Sequence, residues 1–527
     1  MVTASFKLRE DYWDNFQLTE TDIEFLYNYL LETETPITNS ELLEVLIAER
    51  IRKEKLAIEE QRSSGCDIYI PKDHFEINQK LVFPALNWQR GKVIDIRPGV
   101  NPDIGTFGVI RVEFDSGDER EYASDLFDHT LNTQPVVEEI DKGLEIGFVL
   151  SHYKDTIIER LETGLKSNSD FVRIAGRWFP RALLVDINSG HLNLAEAVLD
   201  MAGGGPLKTE NLLAQIELIS NVNSKLLEFS LDYALEKDPR FDEVGAAGEV
   251  LWFLHRLEPQ PVLEPPICLK YQTFDYDRTQ LSEEMLELEK KIDDELIPID
   301  GKYLDLDEVE VCLIYPHWRV GTFPLTVFTR NFFPTAYEAP RIRFTIVDGD
   351  SGEKFPAWVV RPHGYVYGLK EWYDLKGLMP GSLIKIRKGK KAGEVILQSK
   401  TQRSSREWIR TVLVGSDGGV VFALLKHMVV TTYDERMAIV VPDVKALDEV
   451  WEKDQKERQP FERVVVNMAR ELTKLNPQSH VHASELYAAV NIVRRSPPGP
   501  IMSILASRPW FIHVGDLHFR FSDTERP

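Results

Sequence analysis

The chain has 527 residues, several times a typical domain of about 150 residues, so more than one hydrophobic core is expected. Its 43% apolar, 10% aromatic and 28% charged composition is that of a globular protein and excludes a disordered one. The formal net charge of −23 opposes any arrangement in which the whole surface coats a polyanion, so contact with nucleic acid must be local.

The first 16 residues lack the apolar run of a secretory leader, and no later run reaches the roughly 20 apolar residues of a membrane span. A cytoplasmic protein with no membrane partner is expected. Segment 1–65 reads as a helical, helix-turn-helix-like domain. Ile23, Leu26, Tyr27 and Leu30 share one helical stripe; Leu42, Leu43, Leu46 and Ile47 share a second. Between them, Pro36 breaks the pattern and Thr38 with Glu41 has the spacing of a capping box. The next stretch, AERIRKEKLAIEEQR, is charged nearly all round and reads as a solvated helical face or a connector. Cys66 opens segment 66–135, where Ile110, Val112 and Phe114 alternate with Val109, Arg111 and Glu113 before a Ser116-Gly117-Asp118 turn. This small β-barrel resembles the Tudor-like and KOW-like barrels of transcription and translation factors.

An internal repeat follows. SDFVRIAGRWF (169–179), DPRFDEVGAAGEVLWFL (238–254) and RPWFIHVGDLHFRF (508–521) each pass from a helix end into an aromatic strand, a glycine turn and a second aromatic strand. Phe171, Phe241 and Phe511 open these strands. Three helical patterns precede the hairpin in segments 189–260 and 457–527, whereas in 136–188 only the last helix and hairpin are evident. The order of a Gly-Pro-Leu turn, a helix and RFxxVGxxxxxxWxL resembles the HARE-type winged helix. That family occurs in the RNA polymerase delta subunit, chromatin-associated proteins and restriction systems. The resemblance implies a recognition helix near the major groove, with Arg494, Arg495 and Arg508 of the last copy and Lys225 of the central copy as nucleic-acid-binding residues. In the last copy, Val481-His482-Ala483 replaces the Pro-Leu turn.

Segment 261–309 reads as an acidic helical linker, containing SEEMLELEKKIDDEL and KYLDLDEVE, which would also shield the cations that follow. Segment 310–414 reads as a basic β-barrel or pseudobarrel, and 415–456 as a β-hairpin with a connecting helix. Residues 341–410 hold 15 Lys/Arg against 7 Asp/Glu. Such asymmetry is the footprint of a phosphate-contacting surface, with Lys385, Arg387, Lys388, Lys390, Lys391, Arg403 and Arg406 as its candidates. Trp358, Tyr365, Tyr367, Trp372 and Tyr373 are interleaved with these charges and are candidates for base stacking or for the barrel core. The order of a hairpin containing DxxSGE-like spacing, GLKEWY and LxPGSLIKI resembles the swapped-hairpin pseudobarrels of plant transcription factors and restriction-enzyme effector domains.

Catalytic signals are weak. GGGPLKT lacks the Walker A order, and the SxxK matches at Ser351 and Ser382 fall on turn or strand. Cys66, Cys268 and Cys312 are far apart, and His480 with His482 forms an HxH pair with no third ligand nearby, read as exposed histidines before a helix. The sequence thus predicts a multidomain α+β chain with repeated winged-helix domains and two small β-barrel-like domains. The expected role is a non-enzymatic DNA-binding or transcription-associated regulator, without cofactor or metal and with duplex DNA as partner. The alternative is a protein-interaction scaffold serving an RNA polymerase or defence complex.

Overall fold

The computed structural model describes residues 3–6, 12–63, 67–83, 86, 89–101, 105–115, 117–132, 137–140, 142–216, 222–298, 306–389, 393–416 and 418–522. The fold is mixed α+β. No helix among the described residues is long and apolar enough to cross a membrane.

One element order occurs three times: helix, short strand, helix, helix, strand, strand. In each sheet the last strand lies between the other two. The first instance uses helices Glu20–Thr33, Asn39–Ser63 and Ile146–Ser167 with strands Ile37–Thr38, Phe171–Ile174 and Arg177–Pro180. The second uses helices Ser189–Met201, Thr209–Ile216 and Ser224–Lys237 with strands Leu207–Lys208, Phe241–Glu243 and Leu251–Leu254. The third uses helices Phe461–Thr473, Ala483–Val493 and Pro498–Ser507 with strands His480–His482, Phe511–Gly515 and His518–Phe521.

The first instance corrects the expected segmentation. Leu26, Leu42 and Leu46 share one core with Ile157, Leu161, Phe171 and Trp178, so the helical start and the later helix-and-hairpin form one discontinuous module. Of the two readings of the charged stretch the helical one holds, since it continues helix Asn39–Ser63. The capping box at its start forms: the Thr38 N–H donates to Glu41 over 2.8 Å and the Glu41 N–H to the Thr38 hydroxyl over 3.4 Å. Between the second and third helices lies a five-stranded sheet of Asp67–Ile68, Lys80–Phe83, Gln89–Pro98, Gly108–Phe114 and Glu119–Ser124. Its own core contains Ile110, Val112 and Phe114, the apolar set of the predicted alternation.

The basic segment forms a seven-stranded open sheet. Its spatial order is Glu308–Cys312, Leu383–Lys388, Glu394–Ser399, Arg341–Asp348, Lys354–Val360, Tyr365–Tyr367 and Thr322–Pro324. The sheet ends at Ser399. The following strands Thr401–Val414 and Val420–Thr431 make a separate two-stranded ribbon, so the expected boundary at 414 divides one hairpin.

The acidic linker is structural. Leu281 and Met285, beside and within helix Glu283–Ile292, join a core with Val412 and Phe422 of the ribbon, Trp451 of helix Val444–Glu457 and the third module. Helix Ala483–Val493 is buried around its whole circumference apart from Glu485, as a helix central to such a core must be.

Candidate nucleic-acid interface

Several cations of the basic segment are engaged by the chain's own carboxylates. Lys385 pairs with Glu308, while Lys400 lies 3.5 Å from Glu310. Both acids sit on the edge strand Glu308–Cys312, so this part of the acidic stretch does cover the basic strand beside it. Lys354 pairs over 2.5 Å with Glu394, and Lys376 lies 2.9 Å from both Asp348 and Asp350. Arg387 and Lys388 are exposed, with Arg387 donating to Gln398 over 3.3 Å. Lys390, Lys391 and the Arg403 side chain lie outside the described residues.

The arginines of the third module also differ from expectation. Arg495 is fully buried, with Nη2 2.5 Å from Asp294 and 2.7 Å from Glu295, so it is an interior ion-pair residue with no path to a phosphate. Burial opposes charge on Glu295, yet Arg495 and His317 beside it hold its carboxyl well below the usual range. Arg494 is clamped by Asp454 and donates to the Gln459 carbonyl over 2.7 Å. Arg508 lies 3.1 Å from Glu462. Lys225 is exposed in the first turn of its helix.

The island's aromatics are mostly packing residues. Trp358, Tyr365, Trp372 and Tyr373 are buried, and the Arg343 guanidinium lies 4.8 Å from the centre of the Trp358 ring. Burial lowers the pKa of that arginine.

Arg406, on the ribbon, is exposed as well. Cross-strand pairing places Arg406 opposite Met428, Trp408 opposite Lys426 and Arg410 opposite Leu424 on one face. Toward Val412 and Phe422 that face enters the core. Toward Arg406 it emerges into solvent, with Trp408 63% exposed. Lys426 Nζ lies 5.1 Å from the centre of the Trp408 ring, a cation–π contact that keeps a positive charge on the indole face.

This end of the ribbon borders a cleft of about 700 Å³ lined by Trp408, Arg410, Tyr433, Arg436, Leu475 and His480. Arg410 pins the cleft floor, donating to the carbonyls of Glu435 and Arg436 over 2.5 Å each and pairing with Glu485 over 2.7 Å. Arg436 is half-exposed and reaches Asp516 at 3.4 Å and His482 Nε2 at 2.9 Å. The HxH pair acquires a neighbour that its spacing did not reveal, because the His518 ring lies 4.9 Å from both His480 and His482. His482 is buried rather than exposed, and burial followed by the Arg436 charge pulls its pKa down to about 4, so it is neutral at physiological pH.

Sequence reasoning identified Arg406 and missed Trp408, Lys426 and Arg436. The available signal was the alternation RSSREWIR. Period alone shows that Arg406 and Trp408 share a face, but not whether that face is covered. Comparisons of the chain with protein-family models, curated proteins and solved structures return no match.

Proposed function

We propose that the chain is a non-enzymatic nucleic-acid-binding regulatory protein whose contact surface is the open end of the ribbon and its adjoining cleft. The observation that carries this reading is an exposed Trp408 flanked by Arg406 and Lys426, with Arg436 on the cleft wall. An exposed indole offers a platform on which an unpaired base stacks, worth about 1–3 kcal/mol, while the cations contact phosphate. The recurrent helix–strand–helix–helix–strand–strand order with its central last strand supports reading the three modules as winged helices. The ion pairing of Arg494, Arg495 and Arg508 argues for the third module as a scaffold that presents the ribbon.

The test is fluorescence anisotropy of the full chain with labelled single-stranded and duplex oligonucleotides at low salt. Single strands are expected to bind more tightly, and Trp408→Ala to weaken binding by about 10- to 100-fold. Absence of binding to both forms, or binding indifferent to Trp408→Ala and to Arg406→Ala with Lys426→Ala, overturns the reading.

A second reading, docking of a protein partner, is favoured by the exposed Leu424, Leu425, Met428 and Val430 along the same ribbon. It becomes the conclusion if nucleic acid does not bind and these positions govern capture of a defined partner.

A further inference from the structure

The hairpin of the second module ends in a group of side chains unrelated to the ribbon. Asp242 lies on strand Phe241–Glu243, His255 opens the short turn His255–Leu257, and Glu258 follows it. One ligand atom from each of the three lies within 4.8 Å of the other two. The Glu258 side chain is 0% exposed and neither of its carboxylate oxygens has a hydrogen-bond partner. Arg341, at the start of the strand Arg341–Asp348, approaches from one side: its Nε is 3.0 Å from Glu258 and 2.9 Å from Asp242. One guanidinium therefore faces two carboxyl groups in a desolvated position. His255 supplies a ring nitrogen from a half-exposed side chain, with Nδ1 3.9 Å from Asp242.

We propose that Asp242, His255 and Glu258 bind a divalent transition-metal ion of the Zn²⁺ class. One imidazole and two carboxylates form an N/O donor set suited to such an ion. Metal–ligand distances near 2.1 Å require donor separations of roughly 3.4 Å, so a small contraction of the group completes the site. The half-exposed His255 side leaves a fourth position for water. Arg341 acts as an outer partner that orients both carboxylates, a common arrangement around metal-ligating acids. Because Arg341 belongs to the seven-stranded sheet, the ion would fasten the second module's hairpin to that sheet.

The experiment is titration of the chelator-treated full chain with Zn²⁺ against a chromophoric zinc indicator, with thermal unfolding of the same samples. The expected result is one tight site and a Zn²⁺-dependent rise in Tm, both weakened at least tenfold in occupancy at a fixed low Zn²⁺ concentration by His255→Ala. The imidazole is half-exposed, so this variant keeps the fold intact. Glu258→Gln, which retains the side chain's shape, is expected to do the same, and Co²⁺ is expected to show ligand-field absorption that both variants lose. No stoichiometric Zn²⁺ binding by the natural chain, or binding that survives both substitutions, overturns the proposal.

Discussion

Asp293 ends helix Glu283–Ile292 in the left-handed conformation, with φ 49°, and accepts a hydrogen bond from the Thr326 hydroxyl. Burial, with the charges of Asp294 and Glu295, pushes its pKa up to about 6, and the negative end of the helix dipole disfavours the carboxylate further. A carboxyl with a folded pKa above its unfolded value near 3.8 holds a proton that the unfolded chain has released. Stability therefore falls as pH rises between about 4 and 6. Asn tolerates the same backbone and offers Thr326 an acceptor. Asp293→Asn is expected to match the natural chain at pH 4 and to exceed its Tm by a few degrees at pH 7; identical Tm–pH profiles would show that the carboxyl is not perturbed. Arg495 obeys a different rule. Removing one member of a buried ion-pair group strands the others, at about 3–5 kcal/mol, so Arg495→Ala is expected to lower the denaturation midpoint strongly while leaving the ribbon surface unaltered.

Among the described residues, the five-stranded sheet inserted between Asn39–Ser63 and Ile146–Ser167 shares no core residue with the module that hosts it. Interactions between distinct cores contribute little to either, so the host is expected to survive excision. A chain in which 67–132 is replaced by a flexible linker should retain slow amide exchange in helices Glu20–Thr33 and Ile146–Ser167; loss of protection there would make the sheet an obligate part of the module. The ribbon shows the converse dependence. Its far end is anchored by Val412 and Phe422 in the core built from the third module, and nearer Arg406 its other face is held by Ile409 and Val429, which pack with Ala438. A two-stranded sheet is marginal alone, so the anchoring is what permits Trp408 to stay exposed on an ordered strand.

Across the whole molecule, the charge of −23 and the internal pairing of the seven-stranded sheet act together. The sheet's lysines and arginines retain their charge, but adjoining carboxylates cancel much of their field within the screening length of about 8 Å. Binding through Arg406, Lys426 and Arg436 alone neutralises few phosphates. The logarithm of the affinity for single strands is expected to fall with the logarithm of salt concentration at a slope of about −2, measurable by anisotropy between low and moderate salt. A much steeper slope would place further cations, such as Arg387 and Lys388, in the contact.

Local pattern sufficed wherever the physics was local. The alternation of Ile110, Val112 and Phe114, the box at Thr38 and Glu41, and strands opening at Phe171, Phe241 and Phe511 depend on neighbours within a few residues, and all were legible. Charge counts marked a basic stretch, but a count carries no direction. Only the folded chain shows that Glu308 reaches Lys385, that Asp294 and Glu295 reach Arg495 some two hundred residues away, and that Trp408 faces water whereas Trp358 is packed. Ion pairing and exposure depend on distance in space, which period and composition do not encode.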